Sequence, residues 1–149
     1  MEKKLKLIGL RRPHKTTNEN GRSSIDCGSH WQTFEKEAVS ERIPDKFDDT
    51  IYAVYFDYEA DHTRPYSYFI GCRVPPESTA PEGLDVLEIP AQSYQKFTAV
   101  GNMPDCVSDI WKKIWAEDKD RVYGFDFEVY DQRSKDWNNA EVDVFVSVK

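Results

Sequence analysis

The chain has 149 residues, enough for one domain whose core needs no disulfide or metal to hold it. Its apolar fraction is a modest 39%, offset by 8 Phe, 8 Tyr and 4 Trp, whose rings bury large areas and, for Tyr and Trp, carry polar tips. A net charge of −7 argues against a sequence-independent grip on nucleic acid or an anionic membrane and is compatible with cationic ligands. Cys27, Cys72 and Cys106 are odd in number, widely spaced and form no CxxC pair, a pattern of free thiols in a reducing compartment. The basic start, Met1 to Leu10, has an apolar run too short for a signal peptide or membrane span, so a soluble cytoplasmic protein is expected.

Residues 4–12 read as a first strand, and the Asn-, Ser- and Gly-rich stretch 16–29 as a long loop. Ser29 to Gln32 has capping-box spacing, and Trp31, Phe34 and Ala38 then share one face of a helix running to about residue 41. Pro44 ends that helix, and Asp48-Asp49 mark a turn. Strand-like runs follow at Ile51 to Tyr58 and Tyr66 to Val74, joined by a loop that contains His62. His62 and its acidic neighbours read as an exposed turn rather than a metal loop, and no metal or cofactor motif is found in the chain.

The turn-rich bridge Pro75 to Gly83 is the clearest break, and after it the pattern begins again. Residues 84–100 read as one extended segment, with Pro90 at a bulge or edge. Gly101 to Asp105 reads as a helix start with Pro104 at the first helical position, followed by an apolar stripe of Val107, Ile110, Trp111, Ile114 and Trp115. Two strands close the chain, Phe125 to Asp131 and Glu141 to Val148. The order strand–helix–strand–strand therefore occurs twice, in halves of about 1–75 and 84–149 within a single domain over 1–149. Two such units predict an antiparallel α+β sheet with two helices and a groove at the seam between the halves.

Phe125 to Tyr130 alternates strictly, turning Phe125, Phe127 and Val129 to one face and Asp126, Glu128 and Tyr130 to the other. A carboxylate among aromatic rings is the chemistry that holds a lipophilic cation, by Coulomb attraction, cation–π contact and apolar burial together. Desolvated, the same carboxylate is also suited to act as a nucleophile or general base. Asp126, nearer the strand start, is a candidate for the rim. Of the two tryptophans in the second helix, Trp111 reads as core and Trp115 as pocket wall; Trp31 reads as core of the first half. On the middle strands both faces carry aromatics, so periodicity leaves open which face meets the groove; Tyr52, Phe56 and Tyr68 are the candidates there.

Several motifs occur in the order of a known family: Pro65 to Val74, Ile89 to Tyr94, Phe97, Gly101 to Pro104, the Trp111/Trp115 helix, and Asp126 to Asp131. From about residue 30 onward the chain resembles the GyrI-like effector-binding domain, which occurs at the C-terminus of some AraC-type and MerR-type regulators and alone, including as integron-cassette proteins. The resemblance implies a duplicated βαββ fold with a ligand groove between its halves and places Glu128 in that groove. It implies binding of bulky, hydrophobic, often cationic molecules, in the manner of multidrug-binding proteins tied to transcription regulation or resistance. Glu128, Tyr130, Trp115, Tyr52, Phe56 and Tyr68 are then the expected ligand contacts. Two alternatives come with the resemblance: hydrolysis of electrophilic cyclopropane-containing compounds by Glu128, and a protein-interaction role such as gyrase inhibition. No helix-turn-helix precedes residue 30, so direct DNA binding is not expected of this chain, and a regulatory output would need a protein partner. No cofactor is expected.

Overall fold

The computed structural model describes residues 4–17, 22–60, 65–103, 105–117 and 120–149. Seven strands form one antiparallel sheet: β1 (Leu5–Arg11), β2 (Ile51–Phe56), β3 (Ser67–Arg73), β4 (Asp85–Ile89), β5 (Ser93–Gly101), β6 (Asp126–Tyr130) and β7 (Ala140–Val148). Three helices accompany them: α1 (Arg22–Lys36), the single turn α2 (Val39–Arg42) and α3 (Asp105–Ala116). The strand order is β4-β1-β3-β2-β6-β7-β5. Outward from its middle the sheet reads β2-β3-β1-β4 on one side and β6-β7-β5 on the other, so the two central strands, β2 and β6, pair across the seam.

The helices cover one face. α1 and α2 bury Phe34 and Val39 with Ile43 against Ile8, Ala53, Tyr68, Ile70 and Cys72. α3 buries Val107, Trp111 and Ile114 against Ala99, Val142, Val144 and Val146. The opposite face is covered by the sheet itself, through a cluster that draws on all seven strands and on no helix, including Leu7, Val54, Phe69, Ile89, Tyr94, Phe127 and Phe145. Chain connectivity explains this. β4 and β5 lie at opposite edges, about 29 Å apart were the sheet flat, yet the link between them spans at most about 14 Å. The sheet must therefore curl until its inner face packs on itself. Gly9 and Gly71 face each other across β1 and β3, and a Cβ on either would run into the other strand's backbone. That close approach is what a glycine inside a strand allows.

Three expectations are corrected. The stretch 16–29 is not all loop: α1 begins at Arg22, and Ser29 lies in mid-helix, where its carbonyl accepts from Thr33 Oγ1 at 3.2 Å. The helix also stops early, because Ala38 is exposed and sits in the left-handed region (φ 49°), separating α1 from α2. Residues 84–100 are two strands at opposite edges, and Pro90 belongs to the link between them rather than to a bulge. Pro104 and the loop containing His62 lie outside the described residues. No described helix is long and apolar enough to cross a membrane.

Candidate functional site

Glu128 occupies the middle of β6, between Ala53 of β2 and Val144 of β7, so the strand alternation turns it to the helix-covered face. It is 2% exposed. Three side chains donate to its carboxylate: Trp111 Nε1 to Oε2 at 2.6 Å, the Tyr55 hydroxyl to Oε2 at 2.8 Å, and the Tyr130 hydroxyl to Oε1 at 2.5 Å. All three donors are neutral, and no described cationic side chain pairs with it. Burial pushes the Glu128 pKa above the usual carboxylate range, and the three hydrogen bonds oppose that shift without cancelling it.

The donors converge from separate elements. Tyr55 and Tyr130 pack against both the α1 cluster and the α3 cluster, which places the carboxylate under the seam between those helices. From α1, Trp31 meets the Tyr130 ring edge-on at 5.0 Å and donates from Nε1 to the Tyr68 hydroxyl at 2.8 Å. Tyr55 lies 5.0 Å from Tyr68 and 5.2 Å from Trp111 between ring centres. Burial, and next the charge on Glu128, hold the Tyr55 and Tyr130 hydroxyls well above the usual tyrosine range. Both therefore remain donors at any ordinary pH. Cys27, Trp31, Tyr55 and Tyr130 are half-buried, while the carboxylate beneath them is closed off from solvent. The arrangement is a half-buried aromatic cover over one buried ionisable acid.

Asp126, two residues earlier on the same face, is no rim residue: it is completely buried. It forms an ion pair with Arg121 at 2.8 Å and accepts from the Tyr58 hydroxyl at 2.7 Å, from Ser147 N at 2.7 Å and from Ser147 Oγ at 2.8 Å. The two carboxylates on this face are thus treated oppositely, one neutralised by a buried guanidinium and one held by neutral donors alone.

The structure brings together Glu128, Tyr130 and Tyr68. It places Tyr52 and Phe56 elsewhere: both pack in the inner-face cluster, Tyr52 5.8 Å from Phe127 and Phe56 stacked on Phe125 at 5.5 Å. The reason is parity. Tyr55 pairs with Asp126, so it is the odd-numbered face of β2 that meets Glu128. Trp111 is buried in the α3 cluster, as expected of a core residue, and also reaches Glu128 through Nε1, while Trp115 is half-buried against the same cluster one turn further on. Tyr55, Trp111 and Arg121 are the site residues that sequence reasoning missed. For Tyr55 the alternation named its face without choosing it, and for Arg121 no periodic signal exists. An open groove of about 620 Å3 lies between α3 and β5, lined by Val100, Asp105, Asp109, Ile110 and Lys113 among others, and Glu128 does not line it.

A family model described as integron-associated effector binding protein, Cass2, matches residues 2–148. The chain belongs to this family. SAV2435, solved bound to tetraphenylphosphonium, shares the fold of this Cass2-family chain with a TM-score of 0.78 at 20% identity, over 99% of this chain and 90% of that one. The integron cassette protein VCH_CASS2 from the mobile metagenome of Vibrio cholerae aligns with a TM-score of 0.72 at 22% identity, over 99% and 92% of the two chains. By sequence, YobU of Bacillus subtilis, which bears a transcriptional-regulator name, is 29% identical over 123 residues, 80% of this chain and 77% of its own length. A Cass2-family chain is an effector-binding protein, and what remains to be argued is the chemistry of its effector.

Proposed function

We propose that the chain is a single effector-binding domain for bulky lipophilic cations, with Glu128 as the charge partner. One observation carries this reading: a buried carboxylate without a cationic partner among the described residues, satisfied by neutral donors and surrounded by aromatic rings. Burying an ionised carboxylate costs several kcal/mol, and a cation brought to it recovers much of that cost. Contact of the cation with a desolvated ring adds about 2 kcal/mol. Tyr130, Tyr68, Tyr55, Trp111 and Trp31 are the rings that surround the carboxylate in this reading. The tetraphenylphosphonium carried by SAV2435 is a ligand of this chemical class. The regulator name of YobU is in keeping with a sensor role exercised through a protein partner, and three free thiols are in keeping with a cytoplasmic setting.

Titration of tryptophan fluorescence with tetraphenylphosphonium, its isosteric anion tetraphenylborate and neutral triphenylmethanol tests the reading. The expected result is saturable quenching by the cation, weakened about tenfold or more in Glu128→Gln, with the neutral compound indifferent to the substitution. Equal affinity for cation and neutral compound in both proteins would remove the charge-partner role. Turnover of an electrophilic ligand at more than one equivalent per protein would reassign Glu128 as nucleophile or base.

A further inference from the structure

Arg121 is the other charged group beneath the aromatic cover. It bridges to Val148 of β7 just before β6 begins, and its side chain is 3% exposed. The guanidinium carbon lies 4.3 Å from the Tyr123 ring centre and 5.8 Å from that of Trp111. Nη2 donates to Asp126 Oδ2, but Nε and Nη1 are buried without a hydrogen-bond partner among the described residues. A guanidinium has five donors, and those on these two nitrogens are left unmet. Asp126 is already engaged at both oxygens, Oδ1 by Ser147 and Oδ2 by Tyr58 and Arg121. The ion pair is lopsided: a saturated carboxylate beside an under-used guanidinium. Buried donors in native proteins are almost always matched by an acceptor, so these ask for one.

Trp111 joins this group to the site already described. Its Nε1 edge donates to Glu128, and the same indole lies beside Arg121. Two buried poles therefore flank one indole, a carboxylate without a cation among the described residues and a guanidinium with spare donors.

We propose that the effector is a zwitterionic lipophile, with its cationic centre at Glu128 and an anionic oxygen acceptor on Arg121. This rests on the lipophilic-cation reading and narrows it. Net charge alone predicts the opposite. With −7 on the chain and two buried acids close by, adding a carboxylate to a cationic ligand should weaken binding. The spare guanidinium donors reverse that sign, because a charge-assisted hydrogen bond from a guanidinium to a carboxylate is among the stronger polar contacts a protein makes.

Calorimetric titration with three phosphonium ions decides the matter, at about pH 8 so that the ligand carboxylate is ionised. They are tetraphenylphosphonium, pentyltriphenylphosphonium and carboxybutyltriphenylphosphonium. The proposal expects the carboxybutyl compound to bind the wild-type protein about tenfold tighter than the pentyl compound. In Arg121→Lys, which keeps a cation for Asp126 but loses the spare N–H donors of the guanidinium, that ratio should fall to one or below. Equal or weaker binding of the carboxybutyl compound by the wild type overturns the proposal, as does a preference that survives in Arg121→Lys. Should that variant not fold, the methyl ester of the carboxybutyl compound replaces it: the ester must lose the advantage in the wild type, and an ester that keeps it overturns the proposal. Failure of tetraphenylphosphonium and the pentyl compound to bind brings down the lipophilic-cation reading, and this inference with it.

Discussion

Glu128 governs two pH dependences of opposite sign. Its carboxyl is harder to ionise in the folded protein than in the unfolded chain, because burial outweighs its three hydrogen bonds. The folded state therefore holds the proton more tightly, so its stability is fully present below the unfolded pKa. That stability falls as pH rises through the folded pKa, which lies above the usual carboxylate range. Binding of a lipophilic cation runs the other way, since it needs the ionised form. Melting curves from about pH 4 to pH 8, with and without tetraphenylphosphonium, should show wild-type stability declining over that window and the ligand-induced gain increasing. Glu128→Gln should flatten both. Tyr130→Phe removes the shortest of the three donors and should cost about 1.5–3 kcal/mol at neutral pH, and less at a pH where Glu128 is protonated. A cost independent of pH, read from denaturant unfolding, would mean that the hydroxyl matters for packing and not for the charge.

Among the elements, strands were far more legible in the sequence than the start of α1. The alternation of Phe125 to Tyr130 assigned both faces of β6 correctly, because a one-residue slip would have buried the wrong set. Ser23, Gly28 and Ser29 are weak helix formers, and they hid α1 behind a loop-like composition. What overrides that weakness is tertiary. Buried Asp26 accepts from Thr16 Oγ1 at 2.7 Å and pairs with Arg12 at 3.2 Å, tying the first turns of the helix to the segment after β1. Such contacts leave no periodic trace. The face choice on β2 escaped for a similar reason: both faces carry aromatics, and the register with β6 decides between them. A glycine inside a strand, as at Gly71, marks a bulge or a close backbone approach, and the structure shows the approach. Gly71→Ala should destabilise the protein by about 1–3 kcal/mol or more, since the added methyl meets backbone rather than a movable side chain. Unchanged denaturant unfolding would show that β1 and β3 can part there without cost.

For the molecule as a whole, the curl of the sheet divides labour between its faces. The inner face is a self-packed cluster and the outer face carries Glu128 and its aromatic cover, so stability and the proposed binding can be altered separately. Phe56→Leu, in the inner cluster, should lower the melting temperature and leave the tetraphenylphosphonium affinity within about twofold. A matched loss of affinity would show that the two faces are coupled.

The strand order also has a consequence for how the chain is made. β7 lies between β5 and β6 and carries the Ser147 groups that hold Asp126. While the chain grows on the ribosome, β5 waits for a neighbour that is synthesised after every other strand, and until then β6 pairs along one side only, with β2. The half of the sheet that carries Glu128 is therefore completed only once β7 has been made, and a nascent chain halted before β7 presents the strand bearing Glu128 as a bare edge, open to any partner that offers a strand of its own.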